Sequence, residues 1–250
     1  MSLEPREFRA YSQRGIPSQV ADSTVGPLRS SKRGELITQV IGKPLYALAD
    51  EGSYFVASNP TPGTGIVGIA AADGWNPLES LLTIQNTAKV SEGIRMYLDF
   101  LEIACTVVDT NGTNVRWDMH IDSGSRWTSG GSTITPVSPN MDVSSTTKAA
   151  VHFGALVSPA ATSDVRYLGG RLVSSTDLVA DDTLRFNFGG ADAGSVQDLS
   201  SAEHATLNTR IVESVPPVIL GPLDSFLFSI NCASQSGGAT WSFRLGYWER

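Results

Sequence analysis

Apolar and polar residues alternate most regularly in the last third of the chain. In 225–233 (SFLFSINCA), Phe226, Phe228, Ile230 and Cys232 share one face; in 240–248 (TWSFRLGYW), Trp241, Phe243, Leu245 and Tyr247 do the same. A period of two is what a half-buried antiparallel strand requires, because successive side chains point to opposite sides of a sheet. The Gly-Gly turn between the two runs (QSGGA, 235–239) predicts that they pair as a hairpin. A short apolar run at 218–220 and the turn Gly221-Pro222-Leu223-Asp224 precede it.

Further strands are predicted upstream at 35–40, 45–49, 53–57, 66–71 and 81–84, with turn residues between them. The longest apolar stretch, 94–108, reads as one long strand or as two with a bend near 99–102. Asn111-Gly112 then predicts a tight turn with positive φ. Val115, Trp117, Met119 and Ile121 alternate with Arg116, Asp118, His120 and Asp122, the cleanest amphipathic strand in the chain. Strands are also expected at 149–157, 165–173, 183–188 and 208–212. That spacing predicts an all-β fold, an antiparallel β-sandwich of jelly-roll-like form, with residues 34–250 as a single domain.

Composition agrees. Charged residues make up 17% of the 250, while 24 Gly and 13 Pro suit many short strands and tight turns rather than a helical bundle. No apolar run reaches the roughly 20 residues that span a bilayer, and the start lacks a secretory apolar core. The expectation is a soluble chain made in the cytosol. Cys105 and Cys232 each sit in a strand-like run and read as small buried hydrophobes, although a cross-sheet disulfide stays open.

Charge separates the first 33 residues from the rest. They carry Arg6, Arg9, Arg14, Arg29, Lys32 and Arg33 against three acidic residues, and Pro and Gly interrupt them repeatedly. The remainder carries a net charge of −10. Residues 1–33 therefore read as an extended basic arm on an acidic body. Such an arm orders only when something holds it, and a neighbouring subunit is the expected holder, which makes those six basic residues the candidate partner-binding set. A net charge of +3 on the arm and an acidic body argue against direct nucleic-acid binding.

Catalytic signals are weak. Residues 63–68 (GTGIVG) satisfy G-x-G-x-x-G, but Pro60 and Pro62 break the entry and Asp73-Gly74 with Pro77 stop any helix, so a glycine-rich loop leading into a strand is expected. Asp118, His120 and Asp122 share one strand face with Arg116 and read as solvent-facing polar groups rather than an acid–base cluster. The three histidines, His120, His152 and His204, are scattered, so no metal site is expected. Neither is a cofactor.

The closing stretch, PPVILGPLDSFLFSINCASQSGGATWSFRLGYWER, resembles the ends of tailed-bacteriophage virion proteins, in which a G-P-x-D-S turn introduces a Phe/Leu-rich strand and the last strand ends in an aromatic-Glu-Arg tail. The Arg-rich start followed by GELITQVIGKPLYALADEGSYFVASNPTPGTGI resembles the opening of such structural proteins. The resemblance implies a jelly-roll-like sandwich in the virion that forms a homotrimer or other homo-oligomer. It implies a non-enzymatic capsid decoration (cement) protein, whose partners are the major capsid protein or other virion subunits. Two alternatives stay open. One is a vertex, collar or fibre component that binds host glycan through aromatics such as Trp75 or Trp127. The other is a β-sandwich polysaccharide-degrading enzyme using Asp118 and Asp122. Deleting residues 1–33 is expected to abolish virion incorporation and lower particle stability; unchanged incorporation, counted on purified particles, would remove the arm as the anchor.

Overall fold

The computed structural model describes residues 44–68, 78–108, 115–144, 146–172, 179–189, 210–232 and 239–250. The arm with its six basic residues, the strand expected at 35–40, the Asn111-Gly112 turn, Trp75 and His204 lie outside them. The described chain is all-β apart from one short helix and a single 3-10 turn at Val90–Glu92.

The helix, α1, spans Pro44–Asp50 and replaces the strand expected at 45–49. Pro44 stands at the first helical position, where its fixed φ is an advantage and its missing N–H costs nothing. The helix formers Leu45, Ala47, Leu48 and Ala49 follow, and Gly52 at φ +74 ends the helix in the left-handed conformation. The N–H groups of Glu51 and Ser53 bond back to Ala47 and Leu48 carbonyls, closing the last turn.

Thirteen strands follow among the described residues. They are β1 (Tyr54–Ser58), β2 (Ile66–Val67), β3 (Glu79–Asn86), β4 (Met96–Val107), β5 (Val115–Ser123), β6 (Ser129–Ile134) and β7 (Ala149–Val157). The rest are β8 (Arg166–Leu172), β9 (Thr183–Phe188), β10 (Arg210–Val215), β11 (Ile219–Leu220), β12 (Asp224–Cys232) and β13 (Thr240–Glu249). One sheet has seven strands in the order β1-β13-β4-β9-β10, with β11 beside β4 and β2 beside β13; the other has six, β6-β7-β3-β12-β5-β8. All pairings are antiparallel among the described residues except β9 with β10, which run parallel. The chain passes repeatedly from one sheet to the other, and the two sheets pack as a β-sandwich.

The alternation in the last third is realised: Phe226, Phe228 and Ile230 face Trp241, Phe243, Leu245 and Tyr247 across one continuous core, with Phe153 stacked on Phe243 at 4.2 Å. The hairpin is not. β12 pairs with β3 and β5, and β13 pairs with β1, β2 and β4, so the two strands lie in opposite sheets. Periodicity identifies a strand's buried face but not its neighbour. The 94–108 stretch is one strand, and opposite Gly246–Tyr247 its residue Asp99 is an extra residue bulged out of the ladder, within the region where a bend was expected. Strand β6 (SGGSTI) was not expected, because glycine and serine carry no apolar alternation.

The G-P-L-D-S segment is the corner between sheets. Asp224 accepts the Gly221 N–H at 2.9 Å through its carboxylate and returns its own N–H to the Gly221 carbonyl. Buried Asn86 donates to Leu220 O, and Leu223 N–H donates to Asn86 O. Leu223 sits at φ +72, a conformation that costs an L-residue roughly 1–2 kcal/mol. Leu223→Gly is expected to raise the urea midpoint and Leu223→Val to lower it, since β-branching aggravates positive φ. Equal midpoints for the two variants would contradict this account of the corner.

Candidate functional site

In a two-sheet sandwich the outward-facing side of each strand normally meets water. Here the middle of one row across the six-stranded sheet does not, while its two ends, Thr133 and Tyr167, are exposed. The register aligns Thr133, His152, Thr83, Leu227, His120 and Tyr167 side by side. These residues alternate with core residues such as Val151, Phe153, Ile84, Phe226, Phe228 and Met119, so they belong to the outer face. Yet Thr83 and Leu227 are fully buried, His120 is 1% exposed and His152 7%, and Ser225, Ser229 and Asp122 are buried with them.

The cover is the connection from β5 to β6. These strands are separated in the sheet by β12, β3 and β7, so residues 124–128 must cross the face. The connection is short, six Cα steps from Ser123 to Ser129, which reach about 21 Å at full extension. Its start is tied to β12: Gly124 N–H donates to Leu223 O, and Ser225 Oγ donates to Gly124 O at 2.6 Å. Its end is tied to β7, where Thr128 donates both N–H and Oγ1–H to Val157 O.

Between the ties, two side chains press onto the sheet. Arg126, fully buried, reaches Asp122 at 2.5 Å, and Trp127 lies flat on His152, ring centroids 3.8 Å apart and planes within 1°. Thr133 Oγ1 lies 3.3 Å from His152 Nδ1, and the Trp127 indole N–H donates to Gly130 O. Asp122 is further held by Thr162, through both its backbone N–H and its hydroxyl. Burial alone would raise the Asp122 carboxyl; the Thr162 hydrogen bonds and the Arg126 guanidinium outweigh it and hold the group below the usual carboxylate range. His120 is lowered too. Burial and the neighbouring Arg126 charge push it down to about 4, against the opposing pull of Asp122.

Asp118, His120 and Asp122 do share one strand face, as the sequence predicts, but His120 and Asp122 are buried rather than solvated, with Asp118 half-buried beside them. Asp122 borders the cavity described below, with its acceptors taken up by Arg126 and Thr162. Trp127 is half-buried with one ring face occupied. Residues 63–65 lead into β2, which pairs with β13; a Cβ on Gly65 would collide with the Thr106–Thr240 hydroxyl pair, so this glycine serves close packing. Cys105 is a free, buried thiol, which leaves the cross-sheet disulfide unformed, and burial pushes it up to about 12. Arg126, His152 and Thr162 were missed. The available signal was the Asp122/Arg126 spacing and an Arg-Trp pair in a connector too short to wander.

Near the same end, Ile121, Asp122, Ser123, Asp164, Arg166, Ile219 and Asp224 line a small open cavity of about 230 Å³. Its Asp164 and Asp224 carboxylates already accept from Ser123 and Gly221.

The outer face of the seven-stranded sheet differs in kind. Tyr97 and Trp248 are cross-strand partners stacked at 5.3 Å with planes within 4°. Beside them Phe100 lies under two guanidinium groups, Arg185 at 4.6 Å and Arg244 at 5.5 Å from its centroid. Both arginines bond Glu102 at 3.1 Å, and Asp99 accepts from Tyr54 Oη at 2.7 Å. No family model, curated protein or solved structure matches this chain.

Asp122→Ala would strand Arg126 in a dry site and is expected to cost about 3–5 kcal/mol in urea unfolding. The double change Asp122→Leu/Arg126→Met should recover most of that loss. A double variant as unstable as the single one would show that the pair's charges are not what holds the crossing.

Proposed function

We propose that the chain is a non-enzymatic virion structural subunit, a capsid decoration protein that binds and reinforces the major capsid shell through the outer face of its seven-stranded sheet. The observation that carries this reading is the composition of that face. Tyr, Trp, Phe and Arg are the residues enriched in protein interfaces and in their energetic centres, and this face gathers Tyr97, Phe100, Trp248, Arg185 and Arg244. Its charges balance internally, two arginines against Glu102 and Asp99, on a chain of net charge −7. A neutral aromatic island is where an acidic protein can approach another surface without self-repulsion.

Two features favour face contact over strand pairing. Both edges of the six-stranded sheet carry register shifts, between Gly130 and Ser132 on β6 and opposite Met119–His120 on β8, and such bulges blunt an edge. β1, the edge of the other sheet, is bridged at Val56 by Val137. The stretch that carries the resemblance to phage virion proteins forms β12 and β13, interior strands of the two sheets, so the likeness is architectural.

The test mixes the purified chain with capsids lacking it and counts bound copies. The full chain is expected to occupy many regular sites per shell, and Arg244→Glu, at a half-exposed position, should lower occupancy at least tenfold while leaving the fold intact by circular dichroism. Wild-type occupancy by Arg244→Glu would rule out this face, and attachment only at one vertex or along a tail would overturn the decoration role.

A further inference from the structure

The crossing over the six-stranded sheet presses on two histidines at once. His120 lies within electrostatic reach of buried Arg126, and His152 lies beneath Trp127; the two histidines stand in the same row, separated by Thr83 of β3 and Leu227 of β12. The groups facing His120 are Arg126 from the crossing, Tyr167 from β8 at 5.9 Å between ring centroids, and Asp118 and Asp122 two residues away on either side along β5. Those facing His152 are Trp127 from the crossing and Thr133 from β6, with Thr83 beside it on β3. Charging His120 would set an imidazolium beside the Arg126 guanidinium in a site closed to water. Charging His152 would place a cation in the dry seat under Trp127. Neither has water to solvate it unless the crossing lifts.

We propose that residues 124–128 form an acid-released latch, closed at neutral pH and lifted when His120 and His152 take up protons, which uncovers the outer face of the six-stranded sheet around Leu227 and Thr83. The ties described above give the latch its two states. Its ends, at Gly124 and Thr128, are fixed to the start of β12 and to β7 by hydrogen bonds to backbone carbonyls, whereas its middle is held through side chains, including the Arg126–Asp122 ion pair, the Trp127–His152 stack and the Trp127 indole bond to Gly130 O. The middle therefore opens without unthreading the sheet. The seven-stranded sheet shares none of these contacts and stays folded.

The direction follows from linkage. Burial lowers both imidazoles, His120 to about 4, whereas a hydrated imidazole titrates near 6.5. Protons thus bind the lifted form more tightly, and closure weakens as pH falls from about 6.5 towards 4. At pH 5 the His120 difference alone shifts the opening equilibrium about 30-fold, and His152 adds in the same direction.

The experiment is hydrogen–deuterium exchange of the full chain at pH 7 and pH 5, corrected for the intrinsic pH dependence of exchange. Peptides covering 119–130 and the middle of β12 are expected to lose protection at least tenfold at pH 5, while those from β4 and β13 keep theirs. In His120→Gln/His152→Gln the difference between the two pH values should vanish. Unchanged protection of 119–130 in the wild type, or equal loss in both sheets, would overturn the proposal. So would a wild-type pH response in the double variant. Should that variant fold poorly, the two imidazole pKa values read by NMR on the wild type decide the matter: both must lie below 6.5, and a value at or above 6.5 for either removes it from the latch.

Discussion

A strand at the centre of a sheet has two faces, and β12 has both of them buried. Phe226, Phe228 and Ile230 pack into the core between the sheets, while Ser225, Leu227 and Ser229 are shut away on the other side. A sandwich of two layers does not by itself supply cover for that second side. The cover comes from a five-residue crossing that brings a charge with it, and a buried charge needs a partner and further hydrogen bonds to be tolerable. Asp122 supplies the partner, and Thr162 occupies the remaining carboxylate positions. The polar character of β5, the corner at Asp224 and the tie at Gly124 follow from the need to close this face.

Much of the architecture was legible because period-two alternation directly encodes which side of a strand is dry. Phe226, Phe228, Trp241 and Tyr247 sit where that period places them, and β7 and β9 begin and end where expected. Pairing was not legible. A Gly-Gly connection serves a hairpin and a crossover equally well, and nothing local distinguishes them. The helix at α1 was obscured by a short apolar segment whose real signals were its flanks, Pro44 at the start and Gly52 beyond the end.

The candidate site was half legible. Alternation placed Asp118, His120 and Asp122 together, but the assumption that a polar face is a wet face failed, because a cover brought by a distant stretch of chain leaves no periodic trace on the strand beneath it. Trp127 stood out as an aromatic residue in a polar loop, and its partner turned out to be His152 of the same chain. On the opposite sheet, Tyr97, Phe100 and Trp248 looked like ordinary strand residues until the register set them beside Arg185 and Arg244. The two outer faces thus differ in kind: the middle of one is covered by its own chain, and the other carries the aromatic and guanidinium groups on which the proposed function rests.

The sealed face is the claim on which the rest stands, and NMR of the folded protein at neutral pH reads it most directly. The account predicts nuclear Overhauser contacts between the Trp127 indole and the His152 ring, together with Arg126 guanidinium protons in slow exchange with water. Averaged, rapidly exchanging Arg126 signals with no contact between those two rings would contradict it.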